Sequence, residues 1–279
     1  MKNKKLKEAT YRSICAKSDK NFVNRILICI PTLGRVRMEW ALARYGQIIP
    51  TNWSQVDVLQ WMTDFSPMGY MVAEARNACC QSLVELDMEW ILFIDDDVCL
   101  PPDAFVKINT YMREAKYPVV SGLYFTKSIP PEPLIYRGRG TSFYDNWKTG
   151  DKVWVDGIPM GCTLIHGSVI KLLWEESEEY RAGSKIFRRI FETPAKMWMD
   201  PETRDTSAVT GTEDLTWCTR VMEEKILQRA GWEKHCKKYP KWPFLLDTSI
   251  FCQHIDPNGR KFPGEGVEFD HGRIINKRR

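Results

Sequence analysis

The sequence predicts an α/β protein built on a mostly parallel central sheet that is flanked by helices. Short apolar runs, typical of strands buried on both faces, alternate with stretches of helical spacing through the first half of the chain. One such run, residues 90–94, leads directly into three consecutive carboxylates, Asp95, Asp96 and Asp97. Three acids cannot be buried without partners, so this strand must end at Asp95 and place its acids at the carboxyl edge of the sheet. In open α/β sheets, that edge is where ligands bind.

The individual elements follow in chain order. Each predicted strand is an apolar run that ends at proline, glycine or polar residues, and each predicted helix repeats apolar or small residues every three or four positions. The strands are predicted over residues 25–33 (stopped at Pro31), 56–62, 90–95, 119–125, 152–155, 162–165 and 245–252. The helices are predicted over 38–45, with Met38, Leu42 and Tyr45 on one face, and over 69–87, 104–115 and 215–229.

The sequence pattern changes after residue 127, where prolines and glycines interrupt the regular alternation of predicted strands and helices. We therefore divide the chain into a basic N-terminal extension over 1–24, an α/β half over 25–127, a second half of the same domain over 128–256, and a C-terminal tail over 257–279. The second half is predicted to contribute a smaller region beside the main sheet.

Composition limits the class of protein. The chain has 279 residues, of which 43% are hydrophobic, so a large core is possible and global disorder is excluded. A net charge of +4 permits a polyanionic partner without arguing for one. The nine cysteines form no Cys-x-x-Cys pair, which indicates reduced thiols and a cytoplasmic location. No apolar run approaches the roughly 18 residues that a membrane span requires, so we expect no transmembrane segment.

The three adjacent carboxylates predict a cation site. Carboxylates close to one point repel one another unless a cation is present, and oxygen ligands suit Mg²⁺ or Mn²⁺. The alternative is a solvated acidic turn, which an isolated Asp-Asp-Asp sequence would favour. The buried strand that precedes the acids favours the cation site.

Further segments fall in a distinctive order along the chain. They are Ile30-Pro31-Thr32, Ala75-Arg76-Asn77, Phe93-Ile94-Asp95-Asp96-Asp97, Gly161-Cys162-Thr163-Leu164-Ile165 and Thr212-Glu213-Asp214. Together they resemble the GT-A glycosyltransferases, in particular the family 2-like enzymes that use nucleotide-diphosphate sugars, and the three acids resemble their DXD motif. The resemblance implies a GT-A-type, Rossmann-like fold, with 25–127 as the nucleotide-sugar-binding half and 128–256 as the acceptor-side and catalytic half.

The resemblance also assigns roles to individual residues. It implies that Pro31, Thr32, Arg76, Asp95, Asp96 and Gly161 bind the nucleotide sugar. The base would be contacted mainly through the backbone of the first two, and Arg76 would face the phosphates or the nucleotide, with an ordinary ion pair as the alternative. Asp97 would ligate the metal, and Asp95 would face the ribose or the metal. Gly161 would lie in the loop beneath the donor sugar.

A general base is needed to take the proton of the acceptor hydroxyl, and a carboxylate of raised pKa suits that task. The resemblance places this acid in Glu213-Asp214. Asp214 is the predicted base, with Glu213 as the alternative or as an orienting neighbour. Both acids would also suit a helix start, where negative charge is favourable, so a purely structural role stays open.

One histidine is a candidate for the third metal ligand. His254 ends the apolar run of the last predicted strand, and some GT-A enzymes supply a ligand from a histidine near the C-terminus. Imidazole is a common ligand for Mn²⁺-class ions. His271 is the second choice.

The sequence departs from the family in one place. The Asp-Asp-Gly-Ser type segment that contacts the nucleobase in family members is absent, and the corresponding region reads Trp61-Met62-Thr63-Asp64-Phe65-Ser66. Asp64 is a candidate substitute. The nucleobase, and with it the donor, therefore stays open.

The predicted activity is a metal-dependent transfer of a sugar from a nucleotide-diphosphate donor to an acceptor hydroxyl, with the inversion that the resemblance implies. The acceptor stays open between a glycan, a lipid-linked molecule, a protein and a modified nucleic-acid base. One alternative is a nucleotidyltransferase acting on a sugar phosphate, for which Gly34-Arg35-Val36-Arg37 is a faint phosphate loop. The other is a nucleic-acid- or carbohydrate-binding module without catalysis, in which the carboxylates would have no purpose.

Overall fold

The computed structural model describes residues 25–53, 62–138, 144–199, 201–204, 206–264, 268–270 and 273–275. The helices are α1 Met38–Tyr45, α2 Val72–Glu85, α3 Ala104–Glu114, α4 Gly167–Glu176, α5 Glu213–Glu223 and α6 Glu233–Lys238. The strands of the first half are β1 Ile26–Cys29, β2 Met62–Phe65, β3 Trp90–Ile94, β4 Val98–Cys99 and β5 Val119–Leu123. The later strands are β6 Lys152–Val155, β7 Cys162–His166, β8 Glu179–Ala182, β9 Lys185–Arg188, β10 Ala195–Met199, β11 Thr206–Thr210, β12 Phe244–Phe251, β13 Gln253–Ile255, β14 Lys261–Phe262, β15 Glu268–Asp270 and β16 Arg273–Ile275.

The central sheet has seven strands in the order β2-β1-β3-β7-β5-β12-β6. β1 is parallel to β2 and β3, and β12 is parallel to β5. β7 is antiparallel to both β3 and β5, so those two share one direction, and β6 is an antiparallel edge strand beside β12. The predicted mostly parallel α/β sheet is confirmed, and it takes strands from both halves of the chain.

Helices cover both faces of this sheet because its strands are apolar on both sides. In β1, Leu27 and Cys29 face one core and Ile26 and Ile28 face the other. The first core is closed by residues of α2, α4 and α5, and the second by residues of α1 and α3. Complete burial on both faces is what a continuous apolar run in a parallel strand predicts.

Several boundaries differ from the prediction. The predicted strand over 56–62 lies mostly outside the described residues, and the strand beside β1 is instead Met62–Phe65. The predicted helix over 69–87 is shorter, at Val72–Glu85. The predicted helix over 215–229 starts earlier and ends at Glu223, after which a π-helical turn over Gln228–Trp232 leads into α6.

A small second sheet places the C-terminal part of the chain against the aspartates. Its order is β14-β13-β4, and β4 begins directly after Asp97. In this sheet His254 of β13 is paired with Val98 of β4. The register therefore brings His254, which is far away in sequence, to the residue that follows the last aspartate.

Candidate functional site

The turn that carries the three aspartates is held in place through its backbone. The Asp95 N–H donates to the Gly161 carbonyl at 3.1 Å, and the Asp95 carbonyl accepts a hydrogen bond from Trp40 Nε1 at 2.8 Å. The Asp97 carbonyl accepts from the Ile255 N–H at 2.8 Å. These bonds satisfy the main chain where β3 ends, so the side chains of the turn are free to face the edge of the sheet.

Asp95 is the end of a buried ion-pair bridge. Arg76 Nη2 donates to Asp95 Oδ1 at 2.9 Å and Oδ2 at 3.1 Å, while Arg76 Nε donates to Glu213 Oε1 at 3.0 Å. The Arg76 side chain is only 2% exposed, compared with 26% for Asp95 and 11% for Glu213. One guanidinium thus joins the aspartate turn of the first half to the Glu-Asp segment of the second.

This geometry refines the prediction for Arg76. The guanidinium is enclosed and directs its donors to protein carboxylates, as the ion-pair alternative holds, although the pair is buried and not on the surface. Its Nη1 atom finds no hydrogen-bond partner among the described residues. Contact between Arg76 and a phosphate stays a prediction.

The pKa of Asp95 is raised in spite of its ion pair with Arg76. Burial and the neighbouring carboxylates of Asp97 and Glu213 raise the pKa of Asp95 to about 6, against the opposing charge of Arg76. An acid of this pKa is ionised at neutral pH but only by a modest margin. A positive charge brought to this edge would therefore be favourable.

Asp97 faces two groups at one oxygen. Lys127 Nζ donates to Asp97 Oδ2 at 2.5 Å, and His254 Nε2 lies 3.3 Å from the same oxygen. His254 Nδ1 is 2.7 Å from the Phe125 carbonyl, which can only accept, so Nδ1–H donates to it and Nε2 is the nitrogen that faces Asp97. Burial opposes ionisation, but a hydrogen bond and a positive charge from His254 in its protonated form, together with Lys127, lower the pKa of Asp97 to about 2. Asp97 is therefore a carboxylate at neutral pH.

The pair formed by Asp97 and His254 fits part of a cation site. A metal-binding histidine commonly donates its other ring N–H to a carbonyl, as His254 does to Phe125. Among the residues that the structure describes, no group of three or more His, Cys, Asp or Glu side chains is arranged to hold a metal. Mg²⁺-class ions nevertheless bind at sites with only one or two protein ligands, where substrate phosphates and waters fill the other coordination positions.

Asp96 points elsewhere. Its carboxylate interacts with the Thr32 hydroxyl and the Leu33 backbone N–H, and burial raises its pKa above the usual value despite these contacts. Thr32 follows β1 and pairs with Met68 beyond the end of β2. The structure thus brings Thr32, which follows β1, into contact with Asp96, which follows β3.

Pro31 and Gly161 are both buried. The Gly161 N–H donates to Tyr124 Oη at 2.9 Å, and a Cβ at this position would meet that oxygen at 2.5 Å. Packing against Tyr124 therefore explains the glycine at 161 without any ligand. Contact of either residue with a nucleotide sugar stays a prediction.

Glu213 and Asp214 have different surroundings although they are adjacent at the start of α5. Glu213 is held by Arg76, whereas Asp214 Oδ1 accepts a hydrogen bond from the Leu215 N–H at 2.7 Å. Burial and the Glu213 charge raise the pKa of Asp214 above its usual value. Asp214 is therefore the acid of the pair without a guanidinium partner, which suits a proton acceptor, while Glu213 is an anchor.

Sequence reasoning missed two contributors to this site, Trp40 and Lys127, and it named Asn77 without assigning it a role. Asn77 accepts hydrogen bonds from the Ile190 and Phe191 N–H groups and donates to the Phe191 carbonyl, so it holds this loop against α2. Trp40 supports the Asp95 carbonyl. Lys127 could have been found, because it follows a predicted strand and the carboxyl edges of parallel strands meet. No sequence signal marks the role of Trp40, and the segment Ala75-Arg76-Asn77 does not indicate that Asn77 binds this loop.

Two further residues are candidates for the site, His271 as a metal ligand and Asp64 as a base-contacting acid. His271 lies outside the described residues. Asp64, the proposed substitute for a base-contacting acid, forms an ion pair with Arg44 Nη2 at 2.5 Å. Its side chain is still 35% exposed.

No protein-family model matches the sequence, and no curated protein matches it. Solved structures with a similar arrangement include A197 from STIV, at 16% identity and a TM-score of 0.48, over 90% of this chain and 93% of that chain. They also include S. aureus TarS residues 1–349 with UDP, at 12% identity and a TM-score of 0.34, over 53% of this chain and 48% of that one. The same TarS fragment with UDP-GlcNAc has a TM-score of 0.35. Likenesses at these values do not identify a function for this chain.

Within the described residues, no helix combines the length and the apolar character that crossing a membrane would require.

Proposed function

We propose that this protein is a glycosyltransferase of GT-A type, which moves a sugar from a nucleotide-diphosphate donor to an acceptor hydroxyl with inversion and with the help of Mn²⁺ or Mg²⁺. The observation that carries the proposal is the convergence at one sheet edge of Asp97 with His254 and of Asp95 with Glu213 through Arg76. An acidic cluster that served only solubility would have no need of a buried guanidinium linking two distant segments.

The cation would be held by Asp97 Oδ2 and His254 Nε2, the two atoms that face each other at 3.3 Å. When bound there, it would supply the positive charge that a diphosphate leaving group needs. The lowered pKa of Asp97 supports the assignment of this carboxylate, because a group that stays ionised binds cations without first losing a proton. Nε2 of His254 would join it in its unprotonated state.

Asp214 takes the proton in this scheme. The acceptor oxygen forms a bond to the anomeric carbon as the bond between that carbon and the diphosphate oxygen breaks, and the hydroxyl proton passes to Asp214. Glu213, fixed by Arg76, sets the start of α5 and hence the direction of its neighbour. The raised pKa of Asp214 supports the role because a stronger base accepts the proton more readily.

The nucleotide is proposed to lie toward β1 and β2. Thr32 and Asp96 meet at the end of β1, and Asp64 lies near the end of β2. Carboxylates beside a hydroxyl suit ribose hydroxyls, which can donate to them.

The test is a panel of nucleotide sugars with Mn²⁺, scored by thermal stabilisation and by release of nucleoside diphosphate without acceptor. UDP-GlcNAc, which a TarS structure contains, is a reasonable first member. We expect one donor to stabilise the fold only when Mn²⁺ is present and to be hydrolysed slowly. Release of pyrophosphate from a nucleoside triphosphate and a sugar phosphate would favour the nucleotidyltransferase instead. No response to any donor, with or without Mn²⁺, would overturn the proposal.

A further inference from the structure

Lys127 contacts the same Asp97 oxygen that the proposed cation would use. Its Nζ lies 2.5 Å from Asp97 Oδ2, the same oxygen that His254 Nε2 approaches at 3.3 Å. An ammonium group and a metal ion that both contact one carboxylate oxygen repel each other. Binding of a cation to Asp97 therefore weakens the Lys127 contact.

The backbone that carries Lys127 is well supported. The Thr126 N–H donates to the Glu132 carbonyl and the Glu132 N–H donates to Thr126 Oγ1, each at 2.9 Å. Just before it, the Phe125 carbonyl binds His254 Nδ1. The Lys127 side chain, by contrast, is 31% exposed, and four methylenes let its ammonium group move while its Cα stays in place.

The balance of charge at this edge leaves a specific task for Lys127. The carboxylates are Asp95, Asp96, Asp97, Glu213 and Asp214, and the cations paired with them are Arg76 and Lys127. A diphosphate would add more negative charge. Arg76 is 2% exposed and already forms ion pairs with two carboxylates, so it can do little to neutralise the charge of a diphosphate. Lys127 is accessible and is bound through a single carboxylate oxygen.

We infer that Lys127 is a diphosphate-binding residue that exchanges partners during donor binding. Without donor it neutralises Asp97, and with the cation on Asp97 it turns its ammonium group to the phosphate oxygens. The inference rests on the proposed function, since it assigns one more residue to the same donor site. No covalent step is involved.

The exchange predicts effects of opposite sign in one variant. Lys127→Met keeps the length of the side chain and removes its charge. Affinity for Mn²⁺ alone should rise about two- to fivefold, because a competing cation of a partly exposed ion pair is gone. Affinity for nucleoside diphosphate at saturating Mn²⁺ should fall about ten- to a hundredfold, because a charge-assisted contact with phosphate is lost. A residue with a purely structural role would weaken both or neither.

The experiment measures binding of Mn²⁺ alone, and of UDP, GDP, CDP and ADP with Mn²⁺, by calorimetry on the full chain. Lys127→Arg keeps the charge and should retain most of the nucleotide affinity. Lys171→Met is the matched control, because Lys171 is 35% exposed and pairs with Asp87 just before the opposite end of β3. This control should change neither affinity.

The outcomes separate the two proposals. If the wild-type protein binds a nucleoside diphosphate with Mn²⁺ and Lys127→Met binds it equally well, the role of Lys127 is wrong while the donor site stands. A Lys127→Met protein that loses affinity for Mn²⁺ alone would likewise overturn the exchange. If the wild-type protein binds none of the four nucleotides and the donor panel also fails, the proposed function falls, and the role of Lys127 falls with it.

Discussion

The three adjacent aspartates illustrate how environment gives identical residues different properties. Burial raises the pKa of Asp95 to about 6 in spite of Arg76, and Asp96 is bound by Thr32 with a raised pKa. The pKa of Asp97 is about 2 because His254 and Lys127 outweigh its burial. The sequence shows three equal acids. Only the partners, which come from distant segments, distinguish the one suited to hold a cation.

The first residue-scale prediction concerns Asp97. In the wild-type protein, Mn²⁺ and nucleoside diphosphate together should stabilise the fold more than either alone, by about 2.7 kcal/mol at a hundredfold excess over the dissociation constant. Asp97→Ala should melt as a folded protein and lose this joint stabilisation. Asp87→Ala is the control, since Asp87 is 77% exposed and precedes β3 at its other end. Full joint stabilisation of Asp97→Ala in differential scanning calorimetry would remove Asp97 from the cation site.

The second residue-scale prediction concerns Asp214. Asp214→Asn keeps an oxygen for the Leu215 N–H and removes the proton acceptor, so kcat should fall by about 10²- to 10⁴-fold with little change in donor affinity. Because the pKa of Asp214 is raised, the wild-type kcat should decline on the acid side at a higher pH than an ordinary aspartate would give. A helix-start role alone predicts lower stability with normal turnover. Measuring kcat against pH and the melting temperature of both proteins distinguishes these results.

At the scale of elements, periodicity located most strands and helices, but the apolar face of α1 is not its buried face. Met38, Leu42 and Tyr45 share a face as predicted, yet they are 67–70% exposed. The buried residues are Trp40, which donates to the Asp95 carbonyl, and Arg44, which pairs with Asp64. Here polar contacts of two amphipathic side chains decide the orientation of the helix, and a rule that counts only apolar residues cannot detect them.

The junction between β7 and α4 gives a prediction about acid stability. His166 Nδ1 accepts a hydrogen bond from the Ser168 N–H at 3.1 Å and so caps α4. Its ring lies edge-on to Trp90 and Trp232. Burial, with a contribution from Lys171, lowers the pKa of His166 to about 4. Protonation would remove both the acceptor at Nδ1 and the neutral state that the aromatic site requires.

The sign of the pH effect follows from the depressed pKa. The unfolded histidine titrates near 6.5, so below that pH the unfolded state binds more protons and the free energy of unfolding falls until about pH 4. The loss due to His166 should reach about 2–3 kcal/mol. His166→Asn retains a capping oxygen and does not titrate, so its unfolding free energy should decrease less over this window. Urea unfolding at pH 7, 5.5 and 4.5 measures the difference, and parallel curves for the two proteins would exclude the linkage.

At the scale of the whole molecule, the predicted sheet and the edge that carries the site follow from strand patterns and from the rule for parallel strands. The inserted antiparallel strand β7 does not follow from local pattern, because its apolar run reads like that of a parallel strand. The link between Arg76, Asp95 and Glu213 does not follow from local pattern either, because the sequence does not indicate which carboxylates a given arginine will bind. Which charges pair across long sequence distances depends on the tertiary fold, so local sequence patterns cannot predict it.

That link gives the last prediction. Arg76→Met should lower the free energy of unfolding by about 3–5 kcal/mol, because two largely buried carboxylates lose their common partner. Glu213→Gln alone should lower the free energy of unfolding by less, since the amide oxygen still accepts from Arg76 Nε. Combining it with Arg76→Met should restore part of the loss.

The same variant should also change the pH dependence of stability. Without the guanidinium the pKa of Asp95 rises further above its unfolded value. The folded variant then binds more protons than the unfolded chain, so its deficit should be larger at pH 8 than at pH 5. Urea unfolding of the four proteins of this cycle at both pH values checks the sign and the size, and an additive cycle with no pH dependence would mean that Arg76 does not couple the two halves.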